Sequence, residues 1–225
     1  MKVGTDKYTN RILFLFLIVD LVFIGLHIVC RKTDLISDPL FLLTTDRGYS
    51  EVFQYIKIFW IVLLIGSAAI RARASLYLLW TIIFSYLLMD DLLMLHETIG
   101  GVIIGDKLKN IFPYLETISY DAGQVVYASL LGTMFIGIGI ILYQFSKQYI
   151  KTTSTYLLIL LFAFAFFSVI VDVVAAFFEK VYSMPVSGTS ILEDGGELIV
   201  MSFIIYVVFS VHLHIYKYGA EFVQR

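Results

Sequence analysis

Cysteine is almost missing from these 225 residues. Cys30 stands alone, so no intrachain disulfide framework can hold the fold, and it reads as a core or interface residue. Proline occurs three times and charged residues make up 15%, against roughly a quarter in soluble chains. A net charge of −2, with no Lys/Arg run beyond two neighbours, excludes nucleic acid as the expected partner. A serine in a Gly-x-Ser-x-Gly setting and a Gly-x-Gly-Asp motif are both missing, which argues against rhomboid-like and presenilin-type proteolysis. Histidines and arginines do not recur in the patterns of ceramidase-type hydrolases or prenyl-endopeptidases either.

Apolar sequence is abundant: 60% of residues are apolar, 16% are aromatic, and mean hydropathy is +0.89. Six runs are long enough to cross about 30 Å of hydrocarbon, at roughly 12–30, 53–70, 75–97, 122–145, 155–180 and 191–216. The expected fold is therefore all-α: a polytopic integral membrane bundle of six transmembrane helices, forming one domain over 1–225 with no soluble domain. The first run holds Asp20 and lacks an Ala-x-Ala site, so it is expected to be a retained helix rather than a cleaved signal. Between runs, 31–52 and 98–121 mix charges with apolar residues and are expected to lie along the interface as short amphipathic pieces. Gly132, Gly137 and Gly139 are expected to allow close helix packing.

Lys and Arg set the expected orientation. Nine fall on the side of both termini and the second and fourth loops, and six on the other side, with Lys57 inside the second run left out. Both termini are thus expected in the cytoplasm, and the expected location is a prokaryotic cytoplasmic membrane.

Against this background the ionisable residues inside the runs stand out. Asp90-Asp91-Leu-Leu-Met-Leu-His96-Glu97 closes the third run, and Glu193-Asp194-Gly-Gly-Glu197 opens the sixth. A carboxylate at mid-bilayer costs roughly 2.5–3.5 kcal/mol on insertion scales, so such groups face a protein interior and serve function. Six alternating passes put these groups, with Asp121, Asp172, Glu179 and His27, into one leaflet. Asp90 and Glu97 are seven residues apart and Glu193 and Glu197 four, so on continuous helices each pair shares a face. Inward carboxylates and a histidine on facing helices are how bundles build metal sites. The expected ligands are Asp90, His96, Glu97, Glu193 and Glu197, with Asp172, Asp194 and Asp121 as further candidates, and with Asp91 or Glu97 as general base. This oxygen and nitrogen set suits zinc, manganese or iron, and magnesium or calcium if His96 stays outside the first shell.

Taken alone, Glu193 and Asp194 in a first helical turn, three and four residues after Ser190, are also ordinary capping and dipole partners. Asp20 reads as a hydrogen-bonded packing residue or as a proton-relay member. His212 and His214, near Lys217, read as interface residues.

The pair Asp90-Asp91-x4-His96-Glu97 and Leu192-Glu193-Asp194-x2-Glu197 resembles a paired signature of uncharacterised bacterial and archaeal multi-pass membrane proteins. Asp91 and Asp194 stand where that signature has Glu, which keeps the charge and shortens the reach. The resemblance implies that both motifs belong to one site, and it implies no reaction. Two functions fit these residues. One is a divalent-metal site, with a metal-dependent enzyme acting on a lipid-like substrate drawn from the surrounding membrane lipids. The other is a proton- or cation-coupled transporter. A polar cluster that only fixes helix pairing, in an accessory subunit, is the third.

Overall fold

The computed structural model describes residues 7–171, 173–175, 178 and 189–222. Every regular element among them is helical. The long ones are α1 (Lys7–Lys32), α2 (Tyr49–Ala72), α3 (Ser75–Leu93), α5 (Ser119–Gln144), α6 (Gln148–Ala165) and α7 (Thr189–Phe222), with the short α4 (Gly105–Ile111) before α5. Six helical stretches are long and apolar enough to span a membrane. Helices suit that solvent because each backbone N–H is satisfied within its own segment.

α7 is the central post. α2, α1 and α6 pack on it, and α3 returns beside α2 after a turn through Arg73, which takes a left-handed conformation (φ 49°). The core lies where α2, α3, α6 and α7 meet, around Ile58, Ile61, Ile65, Tyr77, Phe84, Leu157, Met201, Ile204 and Val208.

Three boundaries differ from the sequence expectation with consequences. The third run does not continue as one helix to residue 97. α3 stops at Leu93 because Met94 adopts a left-handed conformation (φ 51°), its N–H capping the carbonyls of Asp90 and Asp91. The chain then restarts in a new direction as a π-helical stretch, His96–Ile104. The 98–121 segment is also more than interfacial pieces. The π stretch and α4 fold back onto the first turns of α5. That contact is built on glycine: a Cβ on Gly123 would collide with the Gly100 carbonyl and with Gly105, and one on Gly101 with the Tyr120 ring. Gly132 and Gly137, expected to sit at packing contacts, instead have open space where a Cβ would be. Finally, α6 passes into a second π-helical stretch, Phe166–Val171, at the level where Phe167 lies over Gly196 of α7.

Candidate functional site

A cavity of about 480 Å³ runs between α2, α3, α5, α6 and α7. One end is acidic. Asp90 and Asp91 come from the last turn of α3, His96 and Glu97 from the π stretch, Glu193, Asp194 and Glu197 from the start of α7, and Asp46 and Glu51 from the entry to α2. The other end is apolar, lined by Ile83, Leu87, Leu131, Phe135, Leu161 and Phe164. Among the described residues lining it there is no lysine or arginine.

The turn at Met94 is what assembles the acidic end. Asp90 and Glu97 were expected to meet by helical phase; instead each stands near His96, across the turn at Met94. Met94 in the left-handed region costs of order 1–3 kcal/mol, the kind of strain that persists where surrounding structure imposes it. After the turn, His96 Nδ1 stands 3.1 Å from Asp90 Oδ2 and His96 Nε2 4.0 Å from Glu97 Oε1. Asp90 is 9% exposed, and its other oxygen accepts a hydrogen bond from the Tyr86 hydroxyl at 3.0 Å. Tyr86 in turn shares a 2.5 Å hydrogen bond with Tyr127 of α5. At the far end Tyr120 donates to Glu97 Oε2 at 3.4 Å. A single chain of contacts thus links Tyr127, Tyr86, Asp90, His96, Glu97 and Tyr120 across α3, the π stretch and α5. The hydrogen bond with Asp90 holds the His96 imidazole above its usual pKa, more than burial lowers it.

Ligand atoms of Asp90, Asp91 and His96 all lie within 4.8 Å of one another. Donor atoms bound to one ion by bonds of about 2.0–2.2 Å stand about 3–4 Å apart, so the 3.1 Å spacing of Asp90 and His96 fits either a hydrogen bond or two ligands of one ion. Two helical distortions border the site, since Ser168 and Val169 of the second π stretch also line the cavity. π-helical turns are rare and are frequently found at functional sites.

Among the other sequence candidates, Asp121 is buried in the first turn of α5 and is not among the residues lining the cavity. Asp172 and Glu179 lie outside the described residues. His27 sits beside the site rather than in it: buried, its Nδ1 accepts the Leu43 N–H at 2.9 Å.

Sequence reasoning missed the contribution of α2. Glu51 accepts from the Tyr55 hydroxyl and from the Arg47 backbone N–H at the cavity wall. Gln54 Nε2 donates to Glu197 Oε2 at 2.9 Å and so ties α2 to α7. One turn deeper, Lys57 is fully buried and uses all three of its protons: on Asp20 Oδ1 of α1 at 2.7 Å, on the Leu198 carbonyl at 2.8 Å and on Ser202 Oγ at 3.1 Å. Ser202 donates to Asp20 Oδ2 at 2.5 Å, closing the group. The signal was present in the spacing, since Glu51, Gln54 and Lys57 recur every three residues and so form a polar stripe along one side of a membrane-length helix. Asp20 is accordingly a hydrogen-bonded packing residue, paired to Lys57.

No curated protein and no solved structure matches this chain. Residues 12–213, covering all six long helices at least in part, match the domain of unknown function DUF8692, and the chain belongs to that family.

Proposed function

We propose that this is an integral membrane protein that binds a divalent metal at Asp90, Asp91 and His96 and uses it for chemistry on a lipid-like substrate. The convergence of these three side chains, with their ligand atoms within 4.8 Å of one another inside an acid-lined cavity, is the observation that carries the reading. Six carboxylates from α3, the π stretch and α7, crowded in a site of low dielectric with no lysine or arginine among the described residues of its wall, repel one another unless protons or a cation neutralise them. Glu97, Glu193 and Glu197 line the same cavity as further ligands, together with Asp194. The mixed oxygen and nitrogen donors suit zinc, manganese or iron. Such an ion supplies a Lewis acid for a phosphoryl or carbonyl oxygen, or a water of lowered pKa. Whichever of Asp91 and Glu97 is left unligated serves as general base. The hydrogen bond from Tyr86 to Asp90 fixes the carboxylate that orients His96, the arrangement by which outer groups hold metal ligands in place. Lys and Arg are denser on the side of the termini, which puts the termini in the cytoplasm and the acidic end toward the opposite leaflet.

Elemental analysis of the detergent-purified chain, beside His96→Ala and Glu193→Gln, tests this. Near-stoichiometric metal in the wild type, lost in both variants, is the expected result. A wild type without metal, even after reconstitution with zinc, manganese and iron, overturns it.

Proton- or cation-coupled transport is a second reading. The observation favouring it is that the acidic end continues inward through Gln54–Glu197 to the buried Asp20–Lys57–Ser202 group. Flux into proteoliposomes that requires both Asp20 and Glu97 is the result it predicts.

A further inference from the structure

Gly132 lies in the middle of α5, half-buried on the cavity wall, with open space where a Cβ would stand. The space beside it fits the different packing partners of α5 and α6. They leave the turn at 145–147 together, yet α5 packs on α3, the π stretch and α4, whereas α6 packs on α7 and α3. Between them the apolar arm of the cavity is walled by Leu131 and Phe135 on one side and by Leu161 and Phe164 on the other. Their outer neighbours, Leu130, Met134, Ile159 and Phe162, are exposed and apolar, so the slot is flanked by surface suited to hydrocarbon.

The arm is continuous with the acidic end. On α5 the wall extends from Gln124 to Phe135, eleven helical steps or about 16 Å, close to half of the roughly 30 Å hydrocarbon thickness of a bilayer. Tyr86 and Tyr127 mark the change from polar to apolar lining. A polar head and an apolar slot about one leaflet deep, walled by two helices with exposed apolar outer faces, match an amphiphile whose chain enters sideways.

We infer that the slot between α5 and α6 holds one acyl chain of a membrane lipid, with its headgroup at the Asp90–His96 end. This rests on the reading of the acidic end as the reaction site, and it commits the substrate to a glycerophospholipid or similar lipid with at least one flexible chain. Gly132 is the residue that keeps the slot open. A larger side chain there occupies open space on the cavity wall without meeting backbone, and leucine is the better helix former of the two.

The test is photo-crosslinking of the full chain in vesicles of phosphatidylethanolamine and phosphatidylglycerol. A phosphatidylglycerol carrying a diazirine midway along one acyl chain is the probe, and adducts are mapped by mass spectrometry. Gly132→Leu is compared with Gly137→Leu, which also has open space at its Cβ but stands outside the cavity lining. The expected result is adducts concentrated on Leu131, Phe135, Leu161 and Phe164, lost in Gly132→Leu and kept in Gly137→Leu. Adducts spread over the exposed faces of α1 and α5, or an unchanged pattern in Gly132→Leu, overturn the inference. Metal content measured on the same samples separates the two readings. Slot labelling in a chain that binds no metal leaves the acyl site standing and removes the metal, whereas metal without slot labelling does the reverse.

Discussion

Replacing Lys57 by methionine removes the cation from a fully buried carboxylate. Lys57 and Asp20 are both 0% exposed, and the lysine spends its three protons on Asp20, Leu198 and Ser202. In Lys57→Met, Asp20 keeps the Ser202 hydroxyl, in surroundings closed to bulk solvent. Removing one partner of a buried pair costs about 3–5 kcal/mol, a large part of the roughly 5–15 kcal/mol that holds a typical domain together. Replacing both partners by apolar residues of similar volume is often neutral or better. In Asp20→Leu/Lys57→Met the stranded Ser202 hydroxyl has an alternative acceptor, the Leu198 carbonyl four residues before it. The assay is reversible unfolding in mixed micelles of increasing SDS content, with Asp20→Leu, Lys57→Met and the double variant completing a mutant cycle. The expected pattern is a loss of about 3–5 kcal/mol in each single variant and recovery to within about 1 kcal/mol of wild type in the double. A Lys57→Met protein destabilised by less than about 1 kcal/mol, or a double variant as damaged as the singles, refutes the argument.

Gly123→Ala places a methyl group against the Gly100 carbonyl and Gly105, so it is expected to cost about 1–3 kcal/mol in the same assay. Gly137→Ala, with open space, is expected to change stability by no more than about 1 kcal/mol, in the favourable direction. Tyr86→Phe removes the hydroxyl bridging Asp90 and Tyr127, and is expected to weaken metal binding by about 10–100-fold while the chain stays folded. Titration of the metal-free protein with zinc, read by calorimetry, checks this.

The long apolar runs were legible because membrane-length helices depend on composition, which a sequence displays directly. The acidic end was legible for a different reason. Alternating passes bring the end of α3 and the start of α7 to one level, whatever the details of packing. What the sequence hid was the route by which Asp90 reaches His96. Helical phase over 75–97 placed Asp90 above Glu97, but Met94 breaks the helix with no glycine, asparagine or proline to announce it. Tyr86, Tyr127 and Gln54 were hidden because neutral side chains in an apolar run carry no insertion penalty large enough to draw notice. Lys57 did carry one. It was passed over as a lone charge, although a buried cation requires a partner and Asp20 lay in the neighbouring helix. The glycines misled in the opposite sense, since Gly132 and Gly137 sit where a small-residue stripe suggests a helix contact and α5 makes its close contact about two and a half to four turns earlier, through Gly123.

The buried pair also imposes a schedule on the chain as it is made. α1 leaves the ribosome carrying Asp20, and α2 follows carrying Lys57; each alone would enter lipid at an expense of roughly 2.5–3.5 kcal/mol. Paired through Lys57 and Asp20, they offset part of that expense. Ser202 and the Leu198 carbonyl arrive last, on the final helix, so the site stays incompletely solvated until α7 slides in against α2. A lesion in α7 would thus be felt as a failure of α1 and α2 to stay in the bilayer, and quality control would meet it at the N-terminal hairpin rather than at the mutated helix.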